Sequence, residues 1–325
     1  MVFKIKEEKE MGILAGGQNY KFLFNYQEWD KTSQVIVKDD GIEEFSVTSE
    51  ELLEVIVTCG MPAYYVKSSS SKINRYEEIL FKQYLIETAL KTENDYLAIN
   101  NEKLQYLDSS ERGVISYYLG MFITKLISKK KFKQDYLVHL SILEKTNSVI
   151  YTPNNTKVRP DFIGFSNTNS KYSVFESKAR KNNVKATLKK AVDQVLAVKY
   201  INGDKPENSV ANMIFFNKEK LHAITVDPPP HDEITITVDQ SKFLKAYYQP
   251  IVELIRESGG IRCQNKLISS SISLGDFDLS IEIPEIIYRK AVENNLNSSD
   301  ILEYRESEDL TSKTSDLVKV MIKNR

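Results

Sequence analysis

Two carboxylates and a lysine, Asp161, Glu176 and Lys178, are spaced so that a single hairpin could bring them together. The run Arg159-Pro160-Asp161-Phe162-Ile163-Gly164-Phe165 alternates, and so does Tyr172-Ser173-Val174-Phe175-Glu176-Ser177-Lys178. Alternation predicts half-buried strands, and the polar Asn167-Thr168-Asn169-Ser170 between them predicts a turn. A register centred there sets Asp161 across from Glu176, with Cβ atoms roughly 4.5–5.5 Å apart. Side chains repeat every second residue along a strand, so Glu176 and Lys178 share a face and Ser177 points away. Carboxylate oxygens suit hard cations: Mg²⁺, or Mn²⁺ in its place, takes one or two carboxylates and completes its shell with water and phosphate oxygens. An ammonium beside such a pair stabilises developing negative charge or orients an attacking water. The chemistry indicated is metal-dependent phosphodiester cleavage. The plain alternative is an exposed hairpin carrying a turn-bonding aspartate and a same-face ion pair.

The surrounding elements must hold that hairpin. Upstream, Val114, Ile115, Tyr118, Leu119, Phe122, Ile123, Leu126 and Ile127 recur at helical spacing, and Asp108-Ser109-Ser110-Glu111 supplies a start. Residues 136–143 read as a strand. Downstream, residues 186–201 carry Leu188, Ala191, Val192, Val195 and Val198 at helical spacing, with Gly203 and Pro206 marking the end. Residues 212–217 and 221–226 read as further strands before the Pro228-Pro229-Pro230 boundary. Helix, strand, hairpin, helix and strands make an α/β core. Residues 1–75 form an N-terminal extension with strands near 20–26 and 34–37, 76–230 the core, and 231–325 a C-terminal α/β extension.

Pro160-Asp161, fourteen residues, then Glu176-Ser177-Lys178 resembles the defining motif of the PD-(D/E)XK nuclease superfamily. The resemblance implies a restriction-endonuclease-like core, a central mixed sheet flanked by helices, with Asp161 and Glu176 as metal ligands and Lys178 acting on water. It also implies an accessory acid on the upstream helix, for which Glu111 is the candidate; Asp108 and Glu111 equally fit a capping box. Gln194 with Tyr200 is loosely similar to a glutamine-and-tyrosine helix motif of some branches, although the spacing here is six rather than four. Gln194 is therefore taken as a site residue and Tyr200 as packing. The function implied is a Mg²⁺-dependent endonuclease cutting DNA in a bacterial restriction or phage-defence setting. Two alternatives stand beside it: a non-catalytic nucleic-acid-binding or assembly subunit, and a nuclease acting on RNA or single strands.

Composition bounds the rest. The 325 residues are 41% hydrophobic with a formal net charge of -1, so no global basic surface announces nucleic acid. Locally, from Lys157 to Lys190 the only acids are Asp161 and Glu176, amid nine basic residues. Arg159, Arg180, Lys181 and Lys185 are the candidates for phosphate contacts, which position a duplex without reading it. Lys129, Lys130, Lys131 and Lys133 form a second cluster, read as surface charge within reach of DNA. Cys59 and Cys263 are too few for a disulfide scaffold or a cysteine-rich zinc site. His139, His222 and His231 make no ligand-spaced pair and read as structural or surface groups. No phosphate-loop motif occurs. No stretch approaches the ~18 apolar residues of a membrane span, so a cytoplasmic protein without a membrane partner is expected. The extensions are expected to meet nucleic acid, a partner subunit or a second copy of the chain.

Overall fold

Alternating and 3.6-periodic apolar runs follow one another along the chain, and the computed structural model, which describes residues 12–14, 16–29, 36–59, 75–152, 158–182, 185–228, 234–274, 277–308 and 317–324, folds them into layered sheets and helices. Strands β1 (Asn19–Trp29) and β2 (Ile36–Thr48) pair antiparallel, and helices α1 (Ser49–Thr58) and α2 (Arg75–Ala89) follow. Next come β3 (Leu90–Glu93), β4 (Tyr96–Ile99), the short α3 (Asn101–Leu104) and the long α4 (Ser109–Lys130). The central stretch runs β5 (Tyr136–His139), α5 (Leu140–Lys145), β6 (Val149–Thr152), β7 (Phe162–Ser166), β8 (Lys171–Ala179) and α6 (Lys185–Leu196). It continues through β9 (Val198–Ile201), β10 (Ser209–Asn217), β11 (Lys220–Asp227) and β12 (Ile234–Val238). The C-terminal part holds α7 (Gln240–Glu257), β13 (Arg262–Gln264), β14 (Leu267–Leu274), β15 (Phe277–Pro284), α8 (Glu285–Glu293), α9 (Ser298–Ser307) and β16 (Lys319–Asn324).

The class is α/β, with a large mixed sheet flanked by helices. The sheet runs β2-β1-β4-β11-β10-β8-β7-β5, with β3 joined to β4 and β1 also pairing with β11. Strands β8 and β10 are parallel and α6 is their crossover, as parallel neighbours require. Helix α4 lies against β8 so closely that a Cβ on Gly120 would come within 2.7 Å of Ser177 Oγ. Only glycine admits that approach, which places α4 on the Ser177 face of the strand.

The expected extensions do not stand apart. Strands β1 and β2 belong to the same sheet as the hairpin. From the C-terminal part, Phe243 packs on Phe165 and Tyr172, Tyr247 and Tyr248 pack on Tyr136, and β12 pairs with both β6 and β9. One apolar core runs through all three regions.

Three local expectations are corrected. The strand expected over 136–143 stops at His139, whose Nδ1 accepts the Ser141 N–H and caps α5. The helix expected to 201 ends at Leu196, because β-branched and aromatic Val198, Tyr200 and Ile201 pair with β12 as β9. Tyr200 therefore does not share a helix with Gln194. Val114, read as part of the apolar stripe, is 42% exposed, whereas Ile115, Tyr118, Leu119, Phe122, Ile123, Leu126 and Ile127 are buried. Lys157, His231, the 68–71 loop and Pro229-Pro230 lie outside the described residues. Among the described residues no helix is long and apolar enough to cross a membrane.

Candidate active site

The β7–β8 register pairs Phe162 with Phe175 and Ser166 with Lys171. Carried one residue further, it sets Asp161 opposite Glu176, as the sequence predicts. The two acids then lock each other's backbone: the Asp161 N–H donates to Glu176 Oε2 at 2.8 Å, and the Ser177 N–H donates to Asp161 Oδ2 at 3.1 Å. The Lys178 ammonium donates to Glu176 Oε1 in a short ion pair. Glu176 and Lys178 therefore share a face, as alternation requires. Glu176 is fully buried, while the Lys178 side chain is 23% exposed.

These positions set the electrostatics. Burial pushes the Glu176 carboxyl up to about 8, the Asp161 charge pushes the same way, and Lys178 and the Asp161 N–H oppose them without cancelling them. A buried carboxylate beside a second carboxylate is a place where a further cation relieves repulsion. The donor set is all oxygen and suits Mg²⁺ or Mn²⁺, with Asp161 and Glu176 as the protein's ligands and the remaining positions open to water and phosphate. Among the described residues no three His, Cys, Asp or Glu side chains gather into a metal-holding group, so the fit rests on the pair.

The structure adds two groups at this edge of the sheet. Strand β5 ends beside Asp161: His139 pairs with Phe162, and the Leu140 N–H donates to the Asp161 carbonyl at 2.7 Å. His139 Nε2 lies 3.2 Å from Tyr117 Oη on α4. Since His139 Nδ1 accepts the Ser141 N–H, the neutral ring carries its proton on Nε2 and donates it to the tyrosine oxygen. Burial lowers the His139 pKa to about 4, with the Asp161 charge opposing, so the ring is neutral at pH 7. Burial and Asp161 both raise the Tyr117 pKa, so the phenol keeps its proton. Tyr117 is 41% exposed and can turn that proton outward. Sequence alone reads His139 as structural. Its position at the end of a strand preceding the hairpin was the available signal, but the β5–β7 register that brings it to Asp161 is a tertiary fact.

The other predicted residues fall into three groups. Gln194 joins the site's frame: its Nε2 donates to the Arg159 carbonyl at 2.9 Å, two residues before Asp161. Glu111 is exposed and sits in the capping box, accepting the Asp108 N–H at 2.8 Å while Asp108 accepts the Ser110 and Glu111 N–H groups. Six residues separate it from Tyr117, about 120° around the helix, so it does not share the face that Tyr117 turns toward His139. Of the basic residues, Arg159 pairs with Glu144, which also accepts from Tyr151 Oη. Arg180 is exposed and donates to the Ala179 carbonyl, while Lys181 and Lys185 are exposed with no ion-pair partner among the described residues. Three of the four lysines of the second cluster are neutralised: Lys129, Lys130 and Lys131 pair with Glu54, Glu51 and Glu43. Comparison of the chain with protein-family models, with curated proteins and with solved structures finds no match.

Proposed function

We propose that the chain is a Mg²⁺-dependent nuclease that hydrolyses phosphodiester bonds in DNA, built on a restriction-endonuclease-like core of the PD-(D/E)XK type. The observation that carries this reading is the reciprocal lock of partly exposed Asp161 and buried Glu176 at one end of the hairpin, with the Lys178 ammonium on Glu176. A merely structural ion pair needs no second carboxylate at that position. Bound between the two acids, a divalent ion would polarise the phosphate and supply hydroxide near neutral pH. Lys178 orients the attacking water and stabilises charge on the phosphate oxygens. From the α4 side of this sheet edge Tyr117, its oxygen held by His139, offers its hydroxyl as a hydrogen-bond donor to a phosphate oxygen. Gln194 steadies the Arg159-Pro160-Asp161 segment from behind. Arg180, Lys181 and Lys185 provide the phosphate contacts that bring the nucleic acid to this edge.

The test is cleavage of plasmid and linear DNA with and without Mg²⁺ or Mn²⁺, beside Asp161→Ala and Lys178→Ala. The expected result is metal-dependent cutting that both substitutions strongly reduce. Cutting that survives both substitutions sinks the site assignment, and failure to cut any nucleic acid favours the non-catalytic binding subunit.

A further inference from the structure

The face that carries Glu176 and Lys178 does not end at β8. Directly paired residues lie on one side of a sheet, and pairing leads from Lys178 to Met213, from Met213 to Ile224, from Ile224 to Asn25 and from Asn25 to Ile42. Two residues along β10, Phe215 pairs with His222 and stacks on it, with ring centroids 5.3 Å apart. Here the face opens into a cavity of about 490 Å³ lined by Asn25, Asn182, Phe215, Phe216, Asn217 and His222 among others, with Ile42, 65% exposed, also on its wall. Strand spacing and rise put its floor roughly 8–12 Å from Lys178.

We propose that this cavity is a pocket for a nucleobase, so that the site holds a base of the strand it cuts. Of the described residues that line it, none carries a formal charge, and burial keeps His222 neutral by lowering its pKa. A phosphate or a carboxylate would find no counter-charge among these lining residues. A planar heterocycle with apolar faces and a polar edge finds aromatic and aliphatic walls and three amide side chains. Amides pair with the donor and acceptor edges of bases. Asn25 supplies a specific vacancy: its amide helps to hold the Asp39 carboxylate, while its Oδ1 is buried without a partner. An amino or imino N–H of a base is the donor that oxygen lacks. The parallel ladder also continues past Lys178, with the Arg180 N–H on Ile214 O and the Phe216 N–H on Lys181 O. Exposed Arg180 and Lys181 thus stand at the rim, between acid pair and pocket, where the sugar-phosphate chain would run.

The proposal rests on the nuclease reading for its substrate class, and its test is kept apart from cleavage. Binding is measured in EDTA by anisotropy of a short fluorescein-labelled single-stranded oligonucleotide. An abasic oligonucleotide of equal length and the four free nucleoside monophosphates serve as competitors. Wild type, Asn25→Ala and Asn182→Ala are compared after thermal melting confirms the fold; Asn182 is exposed, so its substitution spares the core. The abasic strand should bind roughly 5- to 100-fold more weakly, by the worth of a stacked base. Each asparagine variant should lose about 2- to 10-fold toward the normal strand and nothing toward the abasic one. Competition by monophosphates assigns the pocket to free nucleotides; competition by oligonucleotide alone assigns it to the strand's own base. Equal affinity for normal and abasic strands, or wild-type affinity in both asparagine variants, overturns the pocket. Base-dependent binding with no metal-dependent cutting overturns the nuclease reading and leaves the pocket standing.

Discussion

At the turn end of the β7–β8 hairpin, Asp135 is fully buried and both its carboxylate oxygens are satisfied: Oδ1 by Arg305 at 3.1 Å and Oδ2 by the Asn167 N–H at 2.7 Å. Lys125, also fully buried, reaches the Asp135 carbonyl and lies over the Tyr247 ring. At the open end the one ammonium, Lys178, pairs with Glu176 and stands partly in solvent, and burial pushes the Glu176 carboxyl up to about 8. Both ends set carboxylate against cation, but the turn end has one acid to two cations and the open end two acids to one. The turn end pairs each charge and excludes water, which is how a buried ion pair ties distant segments together; Arg305 sits 170 residues from its partner. The open end keeps an acid in excess of its cation and is held by the Lys178 ion pair and the hydrogen bonds from the Asp161 and Ser177 N–H groups. Residual charge conflict with solvent access is what marks the open end as the candidate site and the turn end as a structural contact.

The sharpest way to break this contrast is to cut the buried pair. Arg305→Ala takes the guanidinium away from the buried Asp135 carboxylate and should destabilise the fold by up to ~3–5 kcal/mol, read by urea or thermal unfolding. Replacing both partners together, Asp135→Asn with Arg305→Met, should recover part of the loss, since the penalty is that of an unpaired charge. An Arg305→Ala protein that unfolds with wild-type stability would show that the turn end is not a staple.

The open end should respond with the opposite sign. Asp161→Asn and Lys178→Ala should each lower the cleavage rate by roughly 10²–10³-fold, the scale of losing one preorganised electrostatic group. Asp161→Asn should leave the melting temperature unchanged or raise it, because it removes the charge that opposes ionisation of Glu176. Activity and stability that fall together in Asp161→Asn would make the two ends alike.

The open end was legible because its information is local. Two alternating runs and a polar turn set the register, so the placement of Asp161, Glu176 and Lys178 follows from strand periodicity alone. The turn end was not legible: Arg305 reaches Asp135 only through packing of the C-terminal helices, and no spacing rule spans such a separation. Glu111 shows why a helix-borne acid is harder to place than a strand-borne one. The capping box satisfies it locally, and only the set of the helix against the sheet decides which turn faces the hairpin. Likewise the extensions read as appendages because β1 and β2 join the hairpin's sheet through long-range pairing, with β1 parallel to β11.

Proton linkage sharpens the open end further. The Glu176 pKa is raised from 4.5 to about 8 by folding, so the metal-free folded state holds a proton that the unfolded chain releases. Stability is therefore highest below about pH 4.5 as far as this group is concerned, and falls as pH rises toward 8. Glu176→Gln should flatten that slope in a series of thermal melts. Metal binding needs the ionised form, so apparent Mg²⁺ affinity should rise by up to about tenfold per pH unit below 8 and level off above it. Affinity that is flat from pH 6 to 8 would remove Glu176 from the ligand set.

The smallest expected effect belongs to Tyr117. With the His139 Nε2–H directed at the phenol oxygen, the hydroxyl proton has no role within the pair and is available to a phosphate. Tyr117→Phe deletes one donor at a half-exposed position and should cost about 2- to 10-fold, the worth of a single hydrogen bond. The loss should fall in kcat rather than KM if the bond strengthens as charge builds on phosphate, and in KM alone if it only holds the ground state. His139 stays neutral above about pH 4, so neither value should titrate with the imidazole between pH 5 and 8. A Tyr117→Phe enzyme with unchanged kcat and KM would confine the active end to the hairpin itself, leaving Tyr117 and His139 as a second structural contact like the one at the turn.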